Sequence, residues 1–414
     1  MTDKTVLAIL IAGIGDLVLA SPALRALKNG QPDSSLHLLT SMEAAELAIN
    51  YPYIDKVWPF PVRQLRQDKT AYFDIPSLLS KMRSLYFDRA INLYHVDSWA
   101  GAMKMGAIFF FIHADEKMSH DRHGMANFID KKVPAAFFDN RHIAAAMTEI
   151  AVQAGGIADE RGIEVFWEKE SERRCQHLFN FSQENSLPFA LDEPLKPVLG
   201  LIPAIDPAAA TLRQGRPLFI GINPGGDRAN RRWPIERYAA VGDNIAATLN
   251  ARILIFGGPG EEQIAGSIQE KMKSQVVNIA GNLSINDLAY VISRLDLLIT
   301  NDSGPMHIAA ATHTPVVAIF GPEDPVLMRP YTSEYLYRVI YKPLPCRPCS
   351  KDSCDDTICL SAIMPDDVYN ACIELLDTTR GIQYEERVKS VTGSISLNGE
   401  KNAIAAVSHL RGHL

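Results

Sequence analysis

Short apolar runs recur along this chain, each ending in a polar or glycine-rich turn and followed by a segment of helical spacing. The first is Thr5–Ile11 (TVLAILI), then the turn Ala12–Asp16 (AGIGD) and a helical pattern over Ser21–Asn29 with Pro22 near its start. Ser35–Leu39 and Lys56–Trp58 read as strands on either side of a helix over Met42–Asn50. Ser77–Tyr86 reads as a helix, Arg89–Leu93 as a strand, Trp99–Lys104 as a short helix and Ala107–Ile112 (AIFFFI) as a further strand. Arg141–Gly155 has the pattern of a long amphipathic helix.

Between Ser182 and Pro217 the periodicity fades and prolines accumulate at positions 188, 194, 197, 203 and 207, as in a connection between domains, although Val198–Ile202 is apolar enough to pack. A second alternating series follows. Leu218–Ile222, Arg252–Phe256 and Val276–Ile279 read as strands, with helices up to Leu249 and over Glu261–Lys273 and Ile285–Arg294. Leu297–Pro322 (LLITNDSGPMHIAAATHTPVVAIFGP) is the clearest unit: strand, polar turn, Ala-rich helix, strand. The expected fold class is α/β, with two Rossmann-like doubly wound domains facing a cleft. The expected division is 1–185, a connection over 186–216, a second domain over 217–364, a helix within 365–391 packing back near the first domain, and a tail over 392–414.

A chain of 414 residues exceeds what one core usually serves. Its net charge of −7 argues against a nucleic-acid partner. No apolar run approaches the roughly 20 residues that span a bilayer. Val6–Ile11 is too short for a signal peptide, so a cytoplasmic protein is expected.

In a doubly wound sheet, turns that follow strands collect at one edge, where ligands bind. Three such turns in the second half are Asn223–Arg232 (NPGGDRANRR), Gly257–Glu261 and Asn301–His307. Together they offer Arg231 and Arg232, exposed amides with Glu261, and a helix start carrying Asp302, Ser303, Gly304 and His307. That set suits a nucleotide diphosphate, with Glu261 placed for a ribose diol. The absence of GxxxxGK[ST] disfavours a P-loop NTPase. In the first half, Gly13, Gly15 and Asp16 form another such turn, where Asp16 is a helix cap or a chemical group. His95 and Asp97 follow a strand and could line a pocket, and a lone histidine there is more often structural. Arg122 could hold an acidic group or belong to a solvated loop. Cys346, Cys349, Cys354 and Cys359 (C-x2-C-x4-C-x4-C) could hold zinc or an iron–sulfur cluster, though the spacing fits neither pattern closely. Cys372 falls on a helical pattern and suits a core.

NDSGPMHIAAATHTPVVAIFGPEDP, INPGGDRANRRWPIERY, IAGIGDLVLASPALRALK and CRPC…C…C together resemble the family 9 glycosyltransferases, the ADP-heptose:lipopolysaccharide heptosyltransferase family. The resemblance covers most of residues 5–378 and leaves Pro61–Pro76 and the tail without counterparts. It implies a GT-B fold, with the acceptor on the first domain and the nucleotide sugar on the second. The implied reaction is an inverting, metal-independent transfer of heptose or a related sugar, ADP-heptose being the implied donor, with no cofactor required. Asp16 is then the general base, with Gly15 beside it on the acceptor side, where His95 and Arg122 are further candidates. Ser303, Gly304 and His307 match the diphosphate-binding positions and Asp302 the sugar contact. Arg231 stands where these enzymes often carry lysine, with Arg232 as a substitute. Glu261 matches the nucleoside contact, with Glu262 as the alternative. A glycolipid or oligosaccharide acceptor, a place at the cytoplasmic face of the inner membrane and a monomeric chain complete the expectation. The alternatives are a GT-B nucleotide-sugar epimerase, or a sugar-nucleotide-binding protein without catalysis.

Overall fold

The computed structural model describes residues 4–62, 74–94, 96, 98–121, 129–134, 139–179, 217–226, 228–349, 354 and 356–379. Within them lie two six-stranded sheets, parallel throughout.

The first sheet has the order β3-β2-β1-β4-β5-β6. Its strands are β1 Thr5–Leu10, β2 Ser35–Ser41, β3 Lys56–Phe60, β4 Tyr86–Asn92, β5 His113–Asp121 and β6 Lys131–Pro134. The helices are α1 Ile14–Leu19, α2 Ser21–Gly30, α3 Met42–Ala48, α4 Asp74–Arg83, α5 Trp99–Phe111, α6 Ile143–Gln153 and α7 Lys169–Cys175. β1 is central and apolar on both faces, because helices cover both sides of a parallel sheet.

The second sheet has the order β12-β11-β10-β7-β8-β9. It comprises β7 Leu218–Asn223, β8 Ala251–Ile255, β9 Val276–Asn278, β10 Leu297–Asn301, β11 Val316–Ile319 and β12 Tyr337–Ile340. Its helices are α8 Ile235–Leu249, α9 Glu262–Lys271, α10 Ile285–Ser293, α11 Gly304–Ala311 and α12 over 365–379. Both sheets are thus doubly wound, and in each the order reverses beside the first strand of the half, next to β1 and β7. Such a switch point opens a crevice at the carboxyl edge.

One apolar core runs from the first half into the second, joining residues such as Leu10, Leu17 and Met147 to Phe256, Leu298 and Met306. Polar links reinforce the junction. Asn286 of α10 donates to the Glu46 carbonyl at 3.2 Å and accepts from the Asn50 amide at 2.8 Å. Arg174 of α7 pairs with Asp287 at 2.7 Å, and the His142 ring contacts the Arg329 carbonyl at 2.7 Å. Among the described residues no helix is long and apolar enough to cross a membrane.

Three expectations change. Residues 107–112 are not a strand: 107–111 end α5 and Ile112 is its extended cap, the helix running unbroken from where the Ser98 hydroxyl accepts from the Gly101 amide. An apolar run of that length is compatible with either state, and the strand here is the charged segment that follows, β5. The polar stretch around Arg122, read as a candidate solvated loop, does not extend back to His120, which is buried in β5, where its Nε2 accepts from the Val96 amide at 2.8 Å. The helix over 365–379 packs against the second sheet, not the first domain. Val368, Cys372, Leu375 and Leu376 share a core with Ile220, Ile299 and Trp233. Trp233 fastens this arrangement by donating its indole N–H to the Ile363 carbonyl at 3.1 Å. Val198–Ile202, the whole of 186–216 and the tail lie outside the described residues.

Candidate active site

The carboxyl edges of β1, β7, β8 and β10 meet around a cavity of about 430 Å³. The first half supplies Gly13, Gly15 and Asp16. The second supplies Arg231, Glu261, Asp302, Ser303, Gly304 and His307. The lining also includes the apolar residues Phe256, Pro259, Leu283 and Leu288.

Asp16 is the third residue of α1, and its Oδ2 accepts from the Gly13 amide at 3.0 Å. The carboxylate therefore closes its own helix turn while lining the cavity. The capping and chemical readings of the sequence coexist.

Opposite it, α11 starts at Gly304 with no side-chain cap on its first amides. The Ser303 hydroxyl instead sits 3.1 Å from the Asn223 amide nitrogen and 3.2 Å from the Thr300 hydroxyl. The uncapped N–H groups leave this end of the helix electropositive toward the cavity.

Asp302 is 2% exposed. Burial pushes its carboxyl up to about 6; Arg231 pulls the other way, while the negative charges of Glu323 and Asp16 add to the rise. Arg231 Nη1 lies 3.4 Å from Asp302 Oδ2, an ion pair without a formed hydrogen bond. Its Nη2 is bound to Glu323, which Arg228 also approaches at 3.4 Å. Arg231 is thus held between two carboxylates at the cavity wall.

His307 is buried, and its ring is held neutral, with a value near 3 caused first by burial and then by the nearby His142 and Arg231. Its Nδ1 has no hydrogen-bond partner. A buried polar atom left open beside a cavity is suited to a ligand.

The two neighbouring pairs separate cleanly. Arg232 turns back to donate twice to the Gly226 carbonyl, at 2.9 and 2.6 Å, and is not part of the cavity wall. Glu261 lines the cavity and ties two loops together, accepting from the Gly226 and Gly258 amides, both at 2.8 Å. Glu262 faces away, accepting from the Gly260 amide and packing on Gly281. His95 and Arg122 lie outside the described residues, as does Asp97.

Sequence reasoning missed two positioning residues. Asn301, at the end of β10, is fully buried. Its side-chain oxygen accepts from the Trp233 amide and the Tyr238 hydroxyl, and its nitrogen donates to the Pro224 and Gly225 carbonyls. It therefore shapes the glycine loop from beneath. Glu323, which sets Arg231, stood in the quoted GPEDP motif without a role. An asparagine opening a polar turn directly after a strand was the available signal for the first; for the second only the tertiary approach of two loops reveals it.

Among the described residues the cysteines form no disulfide: Cys346 and Cys354 are exposed, Cys349 half-buried, Cys359 and Cys372 buried. Among the described residues, no three His, Cys, Asp or Glu side chains come together as a metal-binding group.

The cavity thus places the Asp16 carboxylate, with Glu43 and Glu46 also on the first-half side, across from a cation, a helix N-terminus and a neutral imidazole of the second half, with apolar side chains in the same lining.

Residues 75–357 match glycosyltransferase family 9 (heptosyltransferase). The chain is 33% identical over 172 residues to lipooligosaccharide heptosyltransferase 2 of Campylobacter jejuni, covering 40% of this chain and 53% of that protein. In the relatives with 32–34% identity that head the comparison, it spans about half of their length. Over 380 residues it is 23% identical to lipopolysaccharide heptosyltransferase 3 of Escherichia coli, covering 88% of this chain and 97% of that protein. In structure it is similar to the E. coli heptosyltransferase WaaC with ADP, with a TM-score of 0.64 and 17% identity, covering 90% of this chain and all of that one. That likeness shows the fold, which is of the GT-B type.

Proposed function

The chain belongs to glycosyltransferase family 9, and on that premise we propose that its cleft transfers a heptose, or a related sugar, from ADP-heptose to a lipopolysaccharide-core or similar glycan acceptor. The carrying observation is the shared cavity, with Asp16 on one wall and Arg231, Asp302 and His307 on the other. The donor's adenosine lies against the apolar lining residues Pro259, Leu283 and Leu288, with Glu261 at the ribose. Its diphosphate lies across Arg231, the α11 amides and the open His307 nitrogen. Asp302 contacts the sugar.

Asp16 takes the proton of an acceptor hydroxyl as that oxygen bonds to the anomeric carbon from the first-domain side. The C1–O bond to the diphosphate breaks on the opposite side, so the configuration inverts. A carboxylate suffices as base because the hydroxyl becomes acidic only as the new bond forms. The negative charge that builds on the departing diphosphate is met by Arg231 and the helix N-terminus, so the step does not call on a metal. Nothing in this reading requires a cofactor. The acceptor's glycolipid character places the enzyme at the cytoplasmic face of the inner membrane.

The test is direct. Purified protein is given ADP-heptose and a deacylated core oligosaccharide, with ADP release and the product anomer followed by NMR, and UDP- and GDP-sugars as competitors. Transfer with inversion and preference for the adenosine donor is expected. Binding of none of these donors at millimolar concentration, or retention of configuration, defeats the proposal.

A further inference from the structure

Helix α5 is apolar on every side, yet it lies at the surface. Its sequence, WAGAMKMGAIFFF, holds a single charged residue, Lys104. Its inner face, Ala102, Ile108 and Phe109, is buried in the first domain. Its outer face carries Trp99, Met103 and Phe110, at 70%, 73% and 74% exposure. With Ala107, also exposed, these positions are spaced by four, four and three residues, so they form one stripe along the helix. A helix apolar all round belongs in a core or against lipid, and a contiguous exposed apolar face marks an interaction surface.

The surrounding charge selects the occupant. α5 has no acidic residue, and the packed neighbour α4 exposes Lys81 and Arg83 in its last turn. The exposed acid just beyond the end of α5, Asp115, accepts from the Tyr86 hydroxyl. Two copies meeting through this face would bring like charges together, whereas an anionic surface meets both the apolar stripe and its basic flank. A tryptophan at one end of an apolar face with lysine beside it suits the headgroup boundary of a bilayer.

We propose that the outer face of α5 docks the protein on an anionic phospholipid surface through Trp99, Met103 and Phe110, with Lys104, Lys81 and Arg83 at the headgroups. Trp99 begins the helix on the carboxyl-edge side of the first sheet, the side on which Asp16 lines the cavity. The Trp99 end of the docked face therefore lies on the same sheet edge as the acceptor side of the cleft. That last relation rests on the transferase reading; the docking itself does not.

The experiment is flotation of the full chain with vesicles of phosphatidylethanolamine containing about a third phosphatidylglycerol, against phosphatidylcholine vesicles. The wild type floats with the anionic vesicles, and its partition coefficient falls at least about tenfold in Met103→Gln/Phe110→Gln. Both side chains are exposed, and unchanged ADP binding shows that the variant is folded. Trp99 is far more exposed than Trp58, Trp167 and Trp233, so vesicles shift the emission of the wild type to the blue and Trp99→Phe loses that shift. Wild type that stays unbound, a double variant that floats equally well, or a dimer that the double variant dissolves each overturns the inference. Transfer to the soluble oligosaccharide separates the two readings. Retained transfer with lost flotation supports docking, and absent transfer with flotation that still depends on Met103 and Phe110 removes the transferase reading alone.

Discussion

Gly15 of α1 and His307 of α11 come from opposite halves of the chain and touch. A Cβ placed on Gly15 would stand 2.8 Å from His307 Cδ2 and 3.1 Å from the Gly304 Cα. The glycine is needed for close approach: it lets the turn that carries Asp16 reach the helix start that faces the donor.

Gly15→Ala therefore separates the two walls. The Gly304 backbone cannot yield as a flexible side chain would. Turnover should fall by about tenfold or more, with a stability loss of roughly 1–3 kcal/mol and little change in ADP affinity. Steady-state kinetics beside calorimetric binding checks it, and a fully active alanine variant would mean the walls need not meet.

Asp16→Asn keeps an oxygen to accept from the Gly13 amide, so the helix start survives. It removes the base. Transfer should drop by about 10³-fold while donor affinity stays nearly intact. Near-normal turnover would show that another group takes the proton.

Arg231 and Arg232 should differ sharply. Arg231→Ala should cost about 100-fold in kcat/KM, with partial rescue by lysine. Arg232→Ala loses two hydrogen bonds to the Gly226 carbonyl and should act on stability, by roughly 1–2 kcal/mol, more than on turnover. Equal kinetic losses would contradict the geometry.

Asp302 links stability to pH. Its folded value, about 6, lies above that of an unfolded aspartate, about 4. The stability it contributes is full below pH about 4 and is lost as pH rises through about 6, leaving an ionised, poorly paired carboxylate at neutrality. Asp302→Asn should accordingly raise the melting temperature at pH about 7.5, by an amount equivalent to roughly 1–3 kcal/mol, with the gain vanishing near pH 4. His142 and His307 are buried neutral, with values near 4 and 3. Their opposite trend, stability lost as pH falls below about 6.5, is present in both proteins and cancels in the difference. A variant less stable at every pH would refute this account.

Much of the architecture was legible in the residues. The alternation of apolar runs with helical segments, interrupted by a proline-rich stretch, already specifies two parallel α/β halves, because buried parallel strands and amphipathic helices leave different periods. The position of AGIGD, NPGGDRANRR, GGPGE and NDSG after strands places them on sheet edges, since chain direction alone decides which edge a turn occupies. Three things were not legible. Residues 107–112 are apolar throughout, so no period distinguishes helix from strand. Adjacent residues point apart: Arg231 ends a 3₁₀ turn and Arg232 is its extended cap, so only the placed backbone decides which faces the cavity, as with Glu261 and Glu262. The contact of Gly15 with His307, and the hold of Glu323 on Arg231, come from loops remote in sequence. Local pattern encodes what each segment is; packing of the two halves decides which of its atoms share a site.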